Sequence, residues 1–281
     1  MSIVNEIICV GTSLTQGGGM NPKRNKKIVD WYKTEKGIDI SDKTHSYPAI
    51  IEKLTDIKVR NLGKCGAGLV YLMRNVEDIL ENEEYKDKLF ILEYSNTDRI
   101  ELWSNRYKNY LVVNYGPKDG ENPENGHECY MTFDYNLEYE DTEEVWWNFN
   151  PDEVDEPRLF DKYLDFFHDN HRWMIQQDRF FLNFLHKLKS KGVKFIVHGQ
   201  SPYWEGFYSD EILNEKFYKF EYPKDKKHTK DNFCTWLHCI TYGMTITKET
   251  DNLHIDDHPN PIGHQHIAES LLNFIKQNEL L

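Results

Sequence analysis

Apolar residues run unbroken through Ile7-Ile8-Cys9-Val10 and again through Leu89-Phe90-Ile91-Leu92. Short runs of this kind predict strands covered on both faces, as in a parallel sheet wrapped by helices. The first strand is expected over about 4 to 10 and the third over 88 to 94. Ile57 to Leu62 reads as a second strand running into the turn Gly63 to Gly68, Val193 to His198 as a fourth, and Met244 to Thr247 as a fifth. The segments between them have helical spacing. Tyr47-Pro48 opens a helix carrying Ile50, Ile51 and Leu54; Leu69 to Leu80 is a second; Asp161 to Lys191 is a long amphipathic one stopped by Gly192. A further helix starts at an Asn260 cap with Pro261 first inside and runs through Ile267, Leu271, Leu272 and Ile275. A helix or loop is expected around Ile28 to Lys36, and a short helix ends at Trp236 to Ile240.

Strands alternating with helices predict an α/β domain with a five-stranded parallel sheet and its sites at the carboxyl ends of the strands. No internal repeat or low-complexity linker divides the chain, so residues 1–281 read as one domain. From Arg99 to Arg158 neither period holds, and large aromatics such as Trp103, Tyr110, Tyr130, Trp146 and Trp147 crowd an acidic background. That segment has too many bulky apolar side chains for disorder, so an ordered insertion of loops and short strands is expected. Gly17 to Lys27 is rich in glycine and lysine but lacks P-loop spacing, and reads as a flexible rim.

Charge and composition narrow the function. With 47 acidic against 34 basic residues the formal charge is −13, and without a basic face a phosphate backbone is an unfavourable partner, so no nucleic acid is expected. The five cysteines are odd in number and irregularly spaced, which suits free thiols in a reducing compartment. No leader pattern and no membrane-spanning apolar run are visible, so the expected location is cytoplasmic. A histidine cluster (His254, His258, His264, His266) is poorly spaced for a metal, and no metal is expected.

Two segments carry chemistry. Asp256-Asp257-His258 stands immediately before a marked helix start, which would hold an acid and an imidazole rigidly side by side. Ser13 stands on the turn leaving the first buried strand, where a hydroxyl can be presented. A serine needs a base to take its proton, and a carboxylate nearby can hold the imidazole in the useful tautomer. Taken together these are the two halves of a hydrolytic site.

Four blocks then fall in order at strand ends: Gly11-Thr12-Ser13-Leu14-Thr15, Asn61-Leu62-Gly63-Lys64-Cys65-Gly66-Ala67-Gly68, Tyr94-Ser95-Asn96-Thr97-Asp98 and Asp256-Asp257-His258-Pro259-Asn260. This series resembles the SGNH, or GDSL-type, hydrolases. The resemblance implies a flavodoxin-like three-layer α/β/α sandwich and an esterase site: Ser13 as nucleophile, Ser13, Gly66 and Asn96 as the oxyanion hole, and His258 as general base. Each such oxyanion donor is worth about 3 to 4 kcal/mol to the barrier. Two positions depart from the family pattern. Thr12 stands where Gly-Asp-Ser has its aspartate, and Ile255 where the acid usually lies, leaving Asp256, Asp257 or a backbone carbonyl, with Asp256 the assignment made here.

The implied reaction needs no cofactor. A short acyl ester, acetyl above all, on a carbohydrate is the expected substrate, since such enzymes are common in the family and the aromatic insertion offers stacking faces. A lipid or thioester substrate, acyl transfer on the same residues, and a catalytically silent carbohydrate-binding or structural protein on the same scaffold are the alternatives.

Overall fold

The computed structural model describes residues 3–20, 26–64, 66–94, 99–104, 109–117, 127–133, 170–199, 219–220, 259 and 261–281. In chain order the strands are β1 (Glu6–Gly11), β2 (Lys58–Gly63), β3 (Lys88–Tyr94), β4 (Arg99–Ser104), β5 (Asn109–Pro117), β6 (His127–Phe133), β7 (Lys194–Gly199) and β8 (Lys219–Phe220). The α-helices are α1 (Ser13–Gln16), α2 (Lys26–Glu35), α3 (Asp42–His45), α4 (Tyr47–Thr55), α5 (Leu69–Asn82), α6 (Asn170–Ser190) and α7 (Pro261–Gln277).

The main sheet has the order β2-β1-β3-β7-β8 with every pairing parallel. This is the 2-1-3-4-5 order of doubly wound folds, with the order reversing between β1 and β3. The chain steps outward from β1 to β2 through α4, then back across β1 to β3 through α5. Right-handed crossovers in opposite directions put the two helices on opposite faces. The core is divided accordingly. Ile7, Cys9, Leu89, Ile91 and Ile196 pack with Tyr47, Ile50 and Ile51 of α4 and Ile267, Leu271 and Ile275 of α7. The alternate residues Ile8, Val10, Phe90, Leu92, Phe195 and Val197 pack with Leu72 and Val76 of α5 and Phe181, Leu185 and Leu188 of α6. Strands apolar at every position are thus explained by burial on both sides.

The helix ends follow the sequence signals. Pro48 lies in the first turn of α4, Pro261 opens α7, and Gly192, at φ +69, ends α6 with its N–H and that of Val193 bonded back to Lys189 and Leu188. The fifth strand differs from expectation. It is the two-residue Lys219–Phe220, in a stretch that reads as loop because two residues carry no period, while 244–247 lies outside the described residues. The glycine-rich rim is also better anchored than its composition predicts. Gly18–Met20 forms a 3-10 turn, and Met20 is buried with Val29, Tyr32 and Ile40.

The segment after β3 contains short strands, as expected, and pairs them as an antiparallel sheet in the order β4-β5-β6. Glu101 of β4 accepts a hydrogen bond from the Tyr71 N–H at 2.6 Å and lies 3.5 Å from Arg74. Gly68, the N-cap of α5, has no side chain to satisfy the first-turn donors. Glu101 supplies that acceptor from elsewhere in the chain, a stabilising place for negative charge.

At the opposite edge of the sheet, the first residues of β1, β2 and β3 lie in register, Glu6 beside both Lys58 and Lys88. The buried Glu6 carboxylate meets Lys58 at 2.9 Å, Arg60 at 2.8 Å and Lys88 at 2.7 Å. Burial alone would push its carboxyl up, but the bonds from Arg60, Lys88 and Lys58 overturn that and hold it at about 2. A folded-state value below the ordinary 4.5 means stability that is complete above about pH 4.5 and lost as pH falls toward 2, on the order of 3 kcal/mol. Glu6→Gln should lower unfolding free energy by about that amount at pH 7. Urea titrations of both proteins should draw together below about pH 4.5 and converge as pH falls through about 2, and a constant difference across that window would contradict the assignment.

Candidate functional site

β1 ends at Gly11, and the chain turns at once into the single helical turn α1. Thr12 is its N-cap, its hydroxyl accepting from the Leu14 N–H at 3.4 Å. Ser13 is the first residue of the turn. It is 6% exposed where the sequence predicts a presented hydroxyl. The turn packs down on the end of β2: Asn61 Nδ2 donates to the Thr15 carbonyl at 3.0 Å. A Cβ on Gly63 would stand 2.2 Å from Gln16 N, so only glycine lets the two backbones approach this closely.

The turn is held from the other side by Glu93 of β3. This fully buried carboxylate accepts from the Thr12 N–H at 2.9 Å and the Thr15 N–H at 3.0 Å, both on Oε2, and from the hydroxyls of Thr12 and Thr15. Gly11 makes room for it, since a Cβ there would lie 2.3 Å from Glu93 Oε2. Burial pushes the Glu93 carboxyl up, against the pull of its four bonds from Thr12 and Thr15. Glu93 and His198 are register partners on β3 and β7, and both stand on the sheet face that packs α4 and α7.

Tyr47, the first residue of α4, joins the parts. Its hydroxyl is 2.9 Å from Thr15 Oγ1 and 3.1 Å from His198 Nε2, and its backbone N–H donates to His264 Nδ1 at 3.1 Å. Its ring stacks on His264 at 6.3 Å and meets His198 edge-on at 5.5 Å. One residue therefore bonds both the turn that carries Ser13 and the first turns of α7, the helix that follows His258. Burial holds the His198 imidazole down to about 3, so it is neutral. Burial likewise pushes the Cys9 thiol up, opposed by its bond to Tyr47, and it remains a thiol.

Of the residues expected from sequence, Ser13 and Gly66 are placed. Gly66 adopts φ +79, a conformation that favours glycine, in the turn after β2. Because Gly11 and Gly63 are paired across β1 and β2, the Ser13 turn and the Gly66 turn leave neighbouring strands at the same end of the sheet. Asn96, Asp256 and His258 lie outside the described residues, as does Asn260. Their neighbours are placed: Tyr94 closes β3, and Pro259, just after His258, is buried. Among the described residues no group of histidine, cysteine or acidic side chains could hold a metal ion. No helix among them is long and apolar enough to cross a membrane.

Sequence reasoning passed over Glu93 and His198, took Tyr47 only as a helix start and weighed His264 only as a metal ligand. Two of them left a signal. Glu93 and His198 are polar residues at the ends of runs otherwise apolar at every position, where a buried charge or imidazole demands partners. Nothing local marks Tyr47, whose role depends on contacts with residues far along the chain.

No protein-family model matches the chain, and no curated protein matches it significantly. Among solved structures it is similar to a member of the lipolytic protein G-D-S-L family from Veillonella parvula DSM 2008, at 12% identity and TM-score 0.34, covering 95% of this chain and 96% of that one. It is also similar to a catalytic mutant of an acetylxylan esterase from Geobacillus stearothermophilus, at 13% identity and TM-score 0.38, covering 98% and 95%. An α/β hydrolase enzyme from the metagenome of Lake Arreo, Spain, matches at 12% identity and TM-score 0.39, covering 98% and 96%. Likeness at this level carries no weight for activity, which has to be read from the residues.

Tyr47→Phe removes the hydroxyl shared by Thr15 and His198 and leaves buried polar groups short of a partner. It should cost about 1–3 kcal/mol of stability. Equilibrium unfolding in urea with an unchanged m-value would register this, and an unaltered midpoint would show that the tie is not made.

Proposed function

We propose that this chain is a serine ester hydrolase of the SGNH type. Ser13 attacks the acyl carbonyl, His258 takes and returns the proton, and Asp256 orients the imidazole. The Ser13 and Gly66 N–H groups and the Asn96 amide stabilise the oxyanion, and water releases the acid. Every element is supplied by protein side chains and backbone, so the mechanism asks for no metal or organic cofactor.

The observation that carries this reading is the double attachment of Tyr47, to Thr15 in the turn that carries Ser13 and to His264 on the helix that follows His258 in sequence. A serine and a histidine separated by nearly the whole chain can work together only if their supports are tied, and Tyr47 is such a tie. The placement of the Ser13 turn adds to it: the reversal of strand order lies between β1 and β3, where doubly wound sheets open their ligand crevice.

The substrate we assign is an acetyl or other short acyl ester, on a carbohydrate. The buried position of Ser13 favours a small acyl group. The antiparallel sheet of β4, β5 and β6, fastened by Glu101 to the first turn of α5, would form the wall that receives the alcohol portion.

Native protein should hydrolyse p-nitrophenyl acetate, and Ser13→Ala should reduce kcat/KM by at least about a thousandfold without changing the unfolding transition. A fluorophosphonate should label Ser13 in the native chain and leave Ser13→Ala unlabelled. Hydrolysis that survives the substitution, or a native serine that never reacts, would sink the assignment and leave a silent protein on this scaffold.

A further inference from the structure

We infer that Glu93 is a positioning residue for the nucleophile, a buried carboxylate that locks the turn around Ser13 and ends a one-way hydrogen-bond chain from His198 through Tyr47 and Thr15. The inference rests on Ser13 being the nucleophile, as proposed above.

The direction of the chain follows from which groups can donate. Two of the four donors to Glu93 are the backbone N–H groups of Thr12 and Thr15, which cannot reverse, so Oε2 is an acceptor. With Glu93 ionised it has no proton to give, and the hydroxyls of Thr12 and Thr15 both donate to it. With its one hydrogen committed, Thr15 Oγ1 must accept from the Tyr47 hydroxyl, 2.9 Å away. Tyr47, its own hydrogen used, accepts from His198 Nε2 at 3.1 Å, which sets the Nε2–H tautomer. The chain begins on a neutral imidazole and ends on the only charge in it.

Its placement argues for a role beyond stability. Among the described residues no cation pairs with Glu93, and its charge is met by hydrogen-bond donors alone. An uncompensated buried charge is expensive, and an apolar residue of similar volume in such a site is often neutral or stabilising. All four bonds instead land on Thr12 and Thr15, the residues bracketing Ser13 and Leu14. Gly11 leaves the side chain the space to reach them. A turn held at both ends by one rigid acceptor keeps the serine between them in a single orientation, and misplacement of a reacting group by 1 Å can slow chemistry about a hundredfold.

The test uses the full chain with p-nitrophenyl acetate, the fluorophosphonate labelling rate of Ser13, and thermal unfolding. Glu93→Gln keeps the shape of the side chain but replaces one acceptor oxygen by an amide donor. It should lower kcat about ten- to a hundredfold while KM moves less than about twofold, with labelling slowed in parallel. Thr15→Val cuts the chain at its middle link and should act the same way, and Thr15→Ser, which restores the hydroxyl, should recover most of the loss. Thr12→Asp combined with Glu93→Gln moves the charge across the Thr12–Glu93 contact and should be more active than Thr12→Asp alone, which sets two carboxylates against each other. Wild-type kcat in both Glu93→Gln and Thr15→Val would overturn the positioning role and leave Ser13 as nucleophile. A loss of activity that only tracks the unfolded fraction, with labelling per folded molecule unchanged, would reduce Glu93 to a structural residue and overturn it too. A native chain that neither turns over nor labels would overturn both readings.

Discussion

A carboxylate at the end of a strand covered on both faces has no water to turn to, and the arrangement around Ser13 follows from how Glu93 is satisfied. Its acceptors must be filled by donors from the fold, and those within reach belong to the turn leaving the adjacent strand. That requirement sets the residues around it. Position 11 must be glycine so that the carboxylate can lie over it. Positions 12 and 15 must bring hydroxyls as well as N–H groups. Tyr47 must then satisfy Thr15, and in doing so it anchors α4, whose first N–H is taken by His264 of α7. The packing of α4 and α7 on one sheet face is therefore coupled through a few polar contacts to the geometry of the turn that carries Ser13.

The topology explains why these contacts occur at this place. Parallel strands end together, so β1, β2, β3 and β7 deliver the Ser13 turn, the Gly66 turn, Glu93 and His198 to one rim of the sheet. The reversal of order between β1 and β3 sends the connecting helices to opposite faces, the arrangement in which doubly wound sheets open their ligand crevice. The neighbouring chain is placed without side-chain help from Gly68. Instead Glu101, from a separate small sheet, caps α5 and so steadies the helix that follows the Gly66 turn.

The sheet and its main helices were legible because they are dominated by burial, which leaves a period in the sequence. Ile7 to Val10 and Leu89 to Leu92 mark strands covered on two sides, and Pro48, Gly192 and Pro261 mark helix boundaries through their own backbone constraints. Ser13 and Gly66 were legible because each sits at a strand end beside a glycine-bearing turn. The polar brace was not. Glu93 and His198 are consecutive in no sense except across a strand pair, and Tyr47 meets Thr15 and His264 only after the crossovers have closed. The two-residue β8 was illegible for a simpler reason, being shorter than any period.

The two ends of the sheet handle a buried glutamate in opposite ways, and the contrast separates stability from chemistry. Glu6, at the amino edge, is surrounded by Lys58, Arg60 and Lys88, and their attraction more than offsets its burial, so its carboxyl is held at about 2. Its charge is secure across ordinary pH and ties three strand starts together. Glu93, at the carboxyl rim, has hydrogen bonds in place of cations, and burial pushes its carboxyl up. An arrangement chosen for stability alone would repeat the first solution or use an apolar residue. A lysine or arginine beside Glu93 would set a full positive charge next to the turn that carries Ser13, and in the mechanism proposed above a positive neighbour would make the imidazole a weaker base. On that proposal, bracing the turn with neutral donors leaves the base able to work near neutral pH, a reason to hold a buried carboxylate by hydrogen bonds where a salt bridge would have been easier to hold.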